Sequence, residues 1–175
     1  DLLMNPQFAG FKPYHTYSSS GLGFQSALED FLPEWAWELA DAHGLVITVH
    51  MVRDRALADP GNQQTICAMC RKYPNARLIL AHAARGFHAQ NTVQGIAALE
   101  GLQNVWFDSS AICEPEALIA ILQRFGPRRL MWGSDFPVSE MRGKAISAGD
   151  NFLWVYDTSL DWEGQNNPVH PTRIG

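Results

Sequence analysis

The sequence has few cysteines and no regular spacing among them. Cys67, Cys70 and Cys113 are the only three in 175 residues. An odd count without a framework excludes a disulfide-stabilised secreted scaffold and predicts reduced thiols in the cytoplasm. Cys67 and Cys70 form a C-x-x-C inside an amphipathic segment, with no second pair to complete a zinc site. We therefore interpret them as core-facing helix residues.

The chain also lacks basic clusters and long apolar runs. Its 13 Lys and Arg residues are outnumbered by 18 Asp and Glu residues, for a net charge of −5. This distribution disfavours nucleic acids and anionic membranes as partners. No run is long enough for a membrane span, and the first residues lack a signal-peptide pattern. The expected partner is a small-molecule substrate, and a homo-oligomer is left open.

What the chain does contain is a repeated pattern of short apolar runs that end on reactive polar residues. Four strands are predicted at Phe8–Lys12, Leu45–His50, Arg77–His82 and Asn104–Ser110, and a fifth in Arg129–Pro137, which leads to Asp135. Helices are predicted between them at 33–43, 59–73, 91–100 and 114–125. Strict alternation of strands and helices predicts a parallel α/β sheet.

The spacing of the strands favours a barrel. Lys12 and Asp135 are 123 residues apart and enclose four strand-to-strand steps, about 31 residues each, which is the pitch of a (β/α)8 TIM barrel. No glycine-rich phosphate loop follows a strand, which weighs against a nucleotide-binding open sheet. We predict a partial barrel of about five βα units over residues 1–137. Residues 138–175 are predicted to form a post-barrel loop with at most one short helix.

Three strand-end residues suggest a metal centre. His50, His82 and Asp135 each lie at or beyond the carboxyl end of a predicted strand, and these ends meet at one mouth of a parallel barrel. Two imidazoles and a carboxylate match the ligand set of Zn²⁺ or a similar divalent ion. The competing interpretation is that each histidine only hydrogen-bonds a neighbour.

Other residues near the same mouth are candidates for binding substrate: His15, Lys12, Arg53, Arg85 and Ser109. Arginine suits bidentate capture of a carboxylate, although an exposed surface role is equally compatible with the pattern. Lys12 could form a Schiff base with substrate, bridge metals after carbamylation, or stay cationic and hold a substrate carboxylate. Alternatively, its side chain only reaches to the solvent at the rim of the barrel.

These strand-end residues and the runs around them resemble those of a known protein family. The runs GFK, TVH, LILAH, NVWFDSS and RLMWGSDFP resemble the C-terminal half of the amidohydrolase superfamily, in the branch of TIM-barrel metal-dependent hydrolases and aminocarboxymuconate-semialdehyde-type decarboxylases. The resemblance implies that the chain carries strands four to eight of the barrel. No H-x-H pair, which supplies two metal ligands from the family's first strand, occurs here, so we expect the chain to be a fragment.

The resemblance also implies roles for particular residues. His50 is similar to the fifth-strand metal ligand, and His82 to the sixth-strand histidine that binds a second metal or acts as acid and base. Asp135 is similar to the eighth-strand aspartate, which binds metal and takes the proton of the attacking water. Lys12 falls on the fourth strand.

The implied activity is metal-dependent hydrolysis of an amide or lactone in a small carboxylated substrate. The alternatives are a metal-dependent non-oxidative decarboxylase, a metal-free aldolase that uses Lys12, and a truncated non-catalytic scaffold.

Overall fold

A computed structural model describes residue 5 and residues 7–156. Its centre is a sheet of five parallel strands in sequential order: β1 (Gly10–Phe11), β2 (Val46–Val49), β3 (Arg77–Leu80), β4 (Val105–Asp108) and β5 (Leu130–Met131). Adjacent strands pair in parallel throughout. An order in which every strand lies beside its successor is that of a barrel wound in one direction, whereas a doubly wound sheet reverses partway. The prediction of a partial (β/α) barrel is confirmed.

Helices begin and end at residues that the sequence marks clearly. The regular helices are α1 (Glu34–His43), α2 (Pro60–Lys72), α4 (Ala89–Gly95) and α5 (Glu116–Phe125). Asp59 caps α2 by accepting a hydrogen bond from the backbone N–H of Asn62, and Gly44 ends α1 in the left-handed conformation that glycine tolerates. None of the helices in the described residues is long and apolar enough to cross a membrane.

The segment α3 (Ala81–Arg85), which follows β3, differs from the other helices. Four consecutive residues from His82 to Arg85 have φ between 50° and 60°, so the segment winds left-handed. Left-handed backbone costs an L-residue about 1–2 kcal/mol. Ala83 and Ala84 are completely buried here, and their small side chains allow the sharp reversal of direction that the segment makes.

The sheet has one fully buried face. Alternate residues of the three central strands pack with the helices in the main core: Ile47, Val49, Leu78, Leu80, Val105 and Phe107. The residues between them are less buried, as the period-two alternation of a strand requires. Asn104, just before β4, joins the layers because its side-chain amide lies 3.0–3.1 Å from three backbone carbonyl oxygens, those of Cys70, Tyr73 and Ala76.

The prediction for the region after Pro137 is wrong in part. Residues 143–156 form an antiparallel hairpin of β6 (Gly143–Ala148) and β7 (Asn151–Tyr156), where a loop and at most one helix were predicted. Small residues of β6 lie opposite aromatic residues of β7, with Ala145 opposite Trp154 and Ser147 opposite Phe152. The hairpin packs on Phe87 and Ala111 in a second apolar cluster. Residues 157–175 of the predicted segment lie outside the described residues.

Candidate functional site

Three histidines that follow successive strands lie side by side. His15 follows β1, His50 follows β2 and His82 follows β3. The ring centroids of His50 and His82 are 5.0 Å apart, and those of His15 and His50 are 6.1 Å apart. Neighbouring strands lie about 4.8 Å apart, so the row of imidazoles follows the spacing of the sheet. The expectation that His50 and His82 share one mouth is met by this geometry.

The hydrogen bonds of His50 and His82 define which ring nitrogen is open. Nδ1 of His50 lies 3.2 Å from the carbonyl oxygen of Met51, and Nδ1 of His82 lies 3.1 Å from that of Ser110. A carbonyl oxygen only accepts, so each bond requires the proton on Nδ1. In a neutral ring Nε2 then holds a free lone pair, which is the arrangement of a metal-binding or basic histidine.

Electrostatics keep His50 neutral. Burial of the ring, together with the nearby His82 and Arg85, lowers the pKa of His50 to about 4. At neutral pH the His50 imidazole is therefore unprotonated at Nε2. A neutral imidazole is the form that coordinates metal ions.

A network around His82 was not predicted. Asp108, at the end of β4, accepts hydrogen bonds through Oδ1 from the backbone N–H of His82 and from both the N–H and hydroxyl of Ser110. The Ser110 hydroxyl also lies 2.9 Å from Nδ1 of His82. From the sequence, Asp108 and Ser110 could either hydrogen-bond substrate or only satisfy the backbone at the end of a strand. They fix the tautomer and orientation of His82, as partners of functional histidines do.

The left-handed α3 segment delivers two of the predicted site residues. His82 begins the left-handed run and Arg85 ends it, and Thr92 braces it by donating its buried hydroxyl to the carbonyl oxygen of Ala83 at 2.7 Å. A run of unfavourable backbone angles persists only where surrounding contacts hold it, and such runs concentrate at functional sites.

Arg85 is a cation that lies against two aromatic rings. Its guanidinium carbon lies 4.0 Å from the ring centroid of Phe24 and 5.2 Å from that of Phe152. One N–H group donates to the carbonyl oxygen of Arg53 at 3.2 Å, and within the described ranges no carboxylate lies at ion-pair distance from it. Burial lowers the pKa of Arg85 to about 10, so it keeps its charge at neutral pH. A partly buried guanidinium held this way is suited to an anionic ligand.

The three predicted metal ligands do not form one cluster in the described residues. Among the residues that the structure describes, no group of three or more His, Cys, Asp and Glu side chains could hold a metal ion. Asp135 lies further beyond the end of its strand than His50 and His82 do. Strand β5 ends at Met131, four residues before Asp135, so the sheet does not fix the carboxylate beside His50 and His82. Asp135 lies half-buried in a turn with φ of 53°.

Three of the predicted substrate-binding residues are engaged elsewhere or exposed. Arg53 forms an ion pair with Asp59, 2.9 Å between Nη1 and Oδ1, because that aspartate caps α2 nearby. Lys12 is exposed, with its ammonium 5.5 Å from the ring centroid of Tyr14. Ser109 is half-buried and its N–H donates to Met131. Ser110, rather than Ser109, supplies the hydroxyl beside His82.

His15 does reach the site. Its ring contacts Phe24 and Phe31 edge to face as well as His50. Its Nδ1 is buried and has no hydrogen-bond partner in the described part of the chain. An unsatisfied buried polar atom is costly unless it serves a ligand or water.

Two nitrogen atoms of the site are of the kind that a divalent metal ion accepts as ligands. Nε2 of His50 and Nε2 of His82 belong to adjacent rings, and neither takes a hydrogen bond from another residue in the described part of the chain. Divalent transition metals accept such nitrogens but require more ligands than two. The two histidines are thus fewer donors than a metal centre needs among the described residues.

A singly wound parallel sheet with histidines at its carboxyl ends defines the class of (β/α)-barrel proteins that assemble their functional groups at one mouth. The sequence profile described as amidohydrolase matches residues 6–161. The chain belongs to the amidohydrolase family.

The individual relatives share less than a third of their residues with this chain. The chain is 27% identical over 169 residues to an L-fucono-1,5-lactonase of Burkholderia ambifaria, a match that covers 88% of this chain and 53% of the relative. Among solved structures, 5-carboxyvanillate decarboxylase from Sphingomonas paucimobilis is similar at a TM-score of 0.48 and 17% identity, over 77% of this chain and 50% of that one. An amidohydrolase 2 from Bifidobacterium longum subsp. infantis is similar at a TM-score of 0.48 and 21% sequence identity. That match covers 61% of this chain and 41% of the other. The chain spans about half the length of these relatives.

Proposed function

We propose that the full-length protein is a metal-dependent hydrolase that cleaves a C–O or C–N bond, such as a lactone or amide, in a small carboxylated substrate. The observation that carries the proposal is the His50–His82 pair, whose Nδ1 atoms face carbonyl oxygens and whose Nε2 atoms are open. Family membership supports the reaction class. The lactone in the name of the Burkholderia ambifaria relative makes lactones the first substrates to test.

In this proposal His50 and His82 hold a divalent ion through Nε2, with Zn²⁺ as the expected metal and Asp135 as a further candidate ligand. Such an ion lowers the pKa of water and polarises a carbonyl group. The Asp108–Ser110 network holds the His82 ring with Nδ1 protonated, so its Nε2 presents a lone pair. If His50 and not His82 holds the ion, Nε2 of His82 is free to move a proton to the leaving group.

Arg85 and Asp135 complete the proposed assignment. Arg85 binds the substrate carboxylate, because it is charged, partly buried and without an acidic partner within the described ranges. A carboxylate oxygen of Asp135 accepts a proton from the attacking water. His15, Lys12, Arg53 and Ser109 stay predictions as substrate contacts; Arg53 is the weakest, because it already pairs with Asp59. All three cysteines are free thiols, which supports a reducing compartment such as the cytoplasm.

The test combines metal analysis with turnover in the full-length protein. Elemental analysis and hydrolysis of a panel of sugar lactones are measured for the wild type and for His50→Gln and His82→Gln. His43→Gln, which changes an exposed histidine on α1, is the matched control. We expect both site variants to lose activity, His50→Gln to lose metal, and the control to retain both.

Each result assigns a role. Metal retained in His82→Gln with activity lost makes His82 the proton carrier. Turnover that survives a chelator, or equal metal content in all variants, contradicts the proposal. Release of CO₂ from carboxylated aromatic acids without lactone hydrolysis would favour the decarboxylase alternative. Absence of metal and turnover would favour the scaffold.

A further inference from the structure

The inward face of the hairpin carries a row of aromatic side chains. Phe152, Trp154 and Tyr156 alternate along β7 with residues of the other face, such as the exposed Leu153. Ala145, opposite Trp154, is completely buried. The hairpin therefore presents a continuous aromatic surface to the carboxyl end of the sheet.

Phe152 contacts Arg85 of the left-handed segment directly and reaches His82 only through Phe87. Its ring centroid lies 5.2 Å from the guanidinium carbon of Arg85 and 5.2 Å from the centroid of Phe87. Phe87 in turn lies 5.3 Å from the ring of His82. One side of Arg85 is thus covered by Phe24 and another by Phe152, and His82 is backed by Phe87, which rests on Phe152.

Specific polar bonds hold the hairpin in this position. Both carboxylate oxygens of Glu114 accept from Ser147, one from its N–H at 2.8 Å and the other from its hydroxyl at 2.6 Å. The same hydroxyl lies 3.0 Å from Nδ1 of His88. The N–H of Ala145 donates to the sulfur of Cys113 at 3.3 Å. Bonds that run from the hairpin to two different loops fix its orientation, not only its distance from the sheet.

We propose that Phe152 is a positioning residue of the site, which fixes the guanidinium of Arg85 directly and the imidazole of His82 through Phe87. The roles of Arg85 and His82 in binding and catalysis rest on the proposed function. Their contacts with Phe152 and Phe87 do not depend on it. A face-on aromatic contact restricts the plane of a guanidinium and favours its charged form. The hairpin thereby orients the free N–H groups of Arg85 for a carboxylate.

The first test reads the positions of the two side chains without any ligand. NMR spectra of the Arg85 side-chain Nε–H and the His82 ring are compared in the full-length protein for the wild type, Phe152→Leu and Phe152→Tyr. Leu153→Ala, on the opposite face of β7, is the control. We expect Phe152→Leu to shift or broaden both signals. Phe152→Tyr keeps the aromatic ring, so its signals should match those of the wild type. Unchanged signals in Phe152→Leu, or equal changes in Leu153→Ala, overturn the proposal.

The second test uses benzoate as the carboxylate probe, with binding measured by calorimetry. Loss of the ring contact predicts affinity weakened roughly three- to tenfold in Phe152→Leu, with Phe152→Tyr and Leu153→Ala near the wild type. Equal affinity of Phe152→Leu and the wild type overturns the positioning role. A wild type that does not bind benzoate contradicts the anion site of the proposed function, while the NMR comparison still decides the role of Phe152.

Discussion

Protonation of His50 should destabilise the fold under mildly acidic conditions. Burial, His82 and Arg85 lower the pKa of His50 from 6.5 to about 4, whereas the unfolded chain retains the ordinary value. Between these two pKa values the unfolded state binds more protons than the folded state, so the free energy of unfolding falls as pH falls. Well above pH 6.5 neither state is protonated, and His50 then contributes no pH dependence.

The magnitude follows from the two pKa values. Their difference of about 2.5 corresponds to about 3.4 kcal/mol once the pH is below both. At about pH 5 the unfolded state is almost fully protonated at this group and the folded state about one-tenth protonated, which gives a loss of about 2 kcal/mol. This is an upper value, because His50 is only half-buried and solvent screens its neighbours.

The assay is urea unfolding followed by tryptophan fluorescence, in the presence of a chelator so that no metal holds the ring. The wild type and His50→Gln are compared at about pH 7.5 and about pH 5. We expect the wild type to lose up to about 2 kcal/mol more than the variant over this interval, and His43→Gln to behave as the wild type. An equal loss in the wild type and His50→Gln would refute the reasoning.

Three further perturbations test the contacts around the site. Asn104→Ala removes the amide that joins three backbone carbonyl oxygens; we expect the free energy of unfolding to fall by about 2 kcal/mol, and a change below about 0.5 kcal/mol in urea unfolding would contradict this. His15→Phe replaces a ring with an unsatisfied buried nitrogen, so we expect unchanged or higher stability, by about 1 kcal/mol, and a lower melting temperature would argue against it. Ser110→Ala removes the hydroxyl between Asp108 and His82; turnover should fall about tenfold with an unchanged circular dichroism spectrum, and full activity would show that the network is only structural.

Much of the fold could be predicted because local signals agree with the global arrangement. Asp59 followed by Pro60 marks the start of α2, and Gly44 marks the end of α1. The hairpin was missed although a signal was present. Gly149 and Asp150 form a two-residue connection between β6 and β7, a typical hairpin loop. The β6 strand contains mostly small and polar residues, so it lacks the apolar alternation that identifies a strand on its own.

The site could be predicted only where it follows from strand position. His50 and His82 were found because each comes directly after a strand-like run. The left-handed segment from His82 to Arg85 contains no glycine, so no residue preference signals it. The pairing of Arg53 with Asp59, and the bonds of Asp108 to Ser110 and His82, depend on where separate loops meet in space.

The row of imidazoles has a consequence for how this site can change. Each ring is supplied by a different strand–loop connection, and the backbone hydrogen bonds that set their separation involve none of the three side chains. A substitution at one position therefore leaves the other two in place. Such an arrangement allows new chemistry to be acquired one residue at a time, without rebuilding the packed interior beneath it.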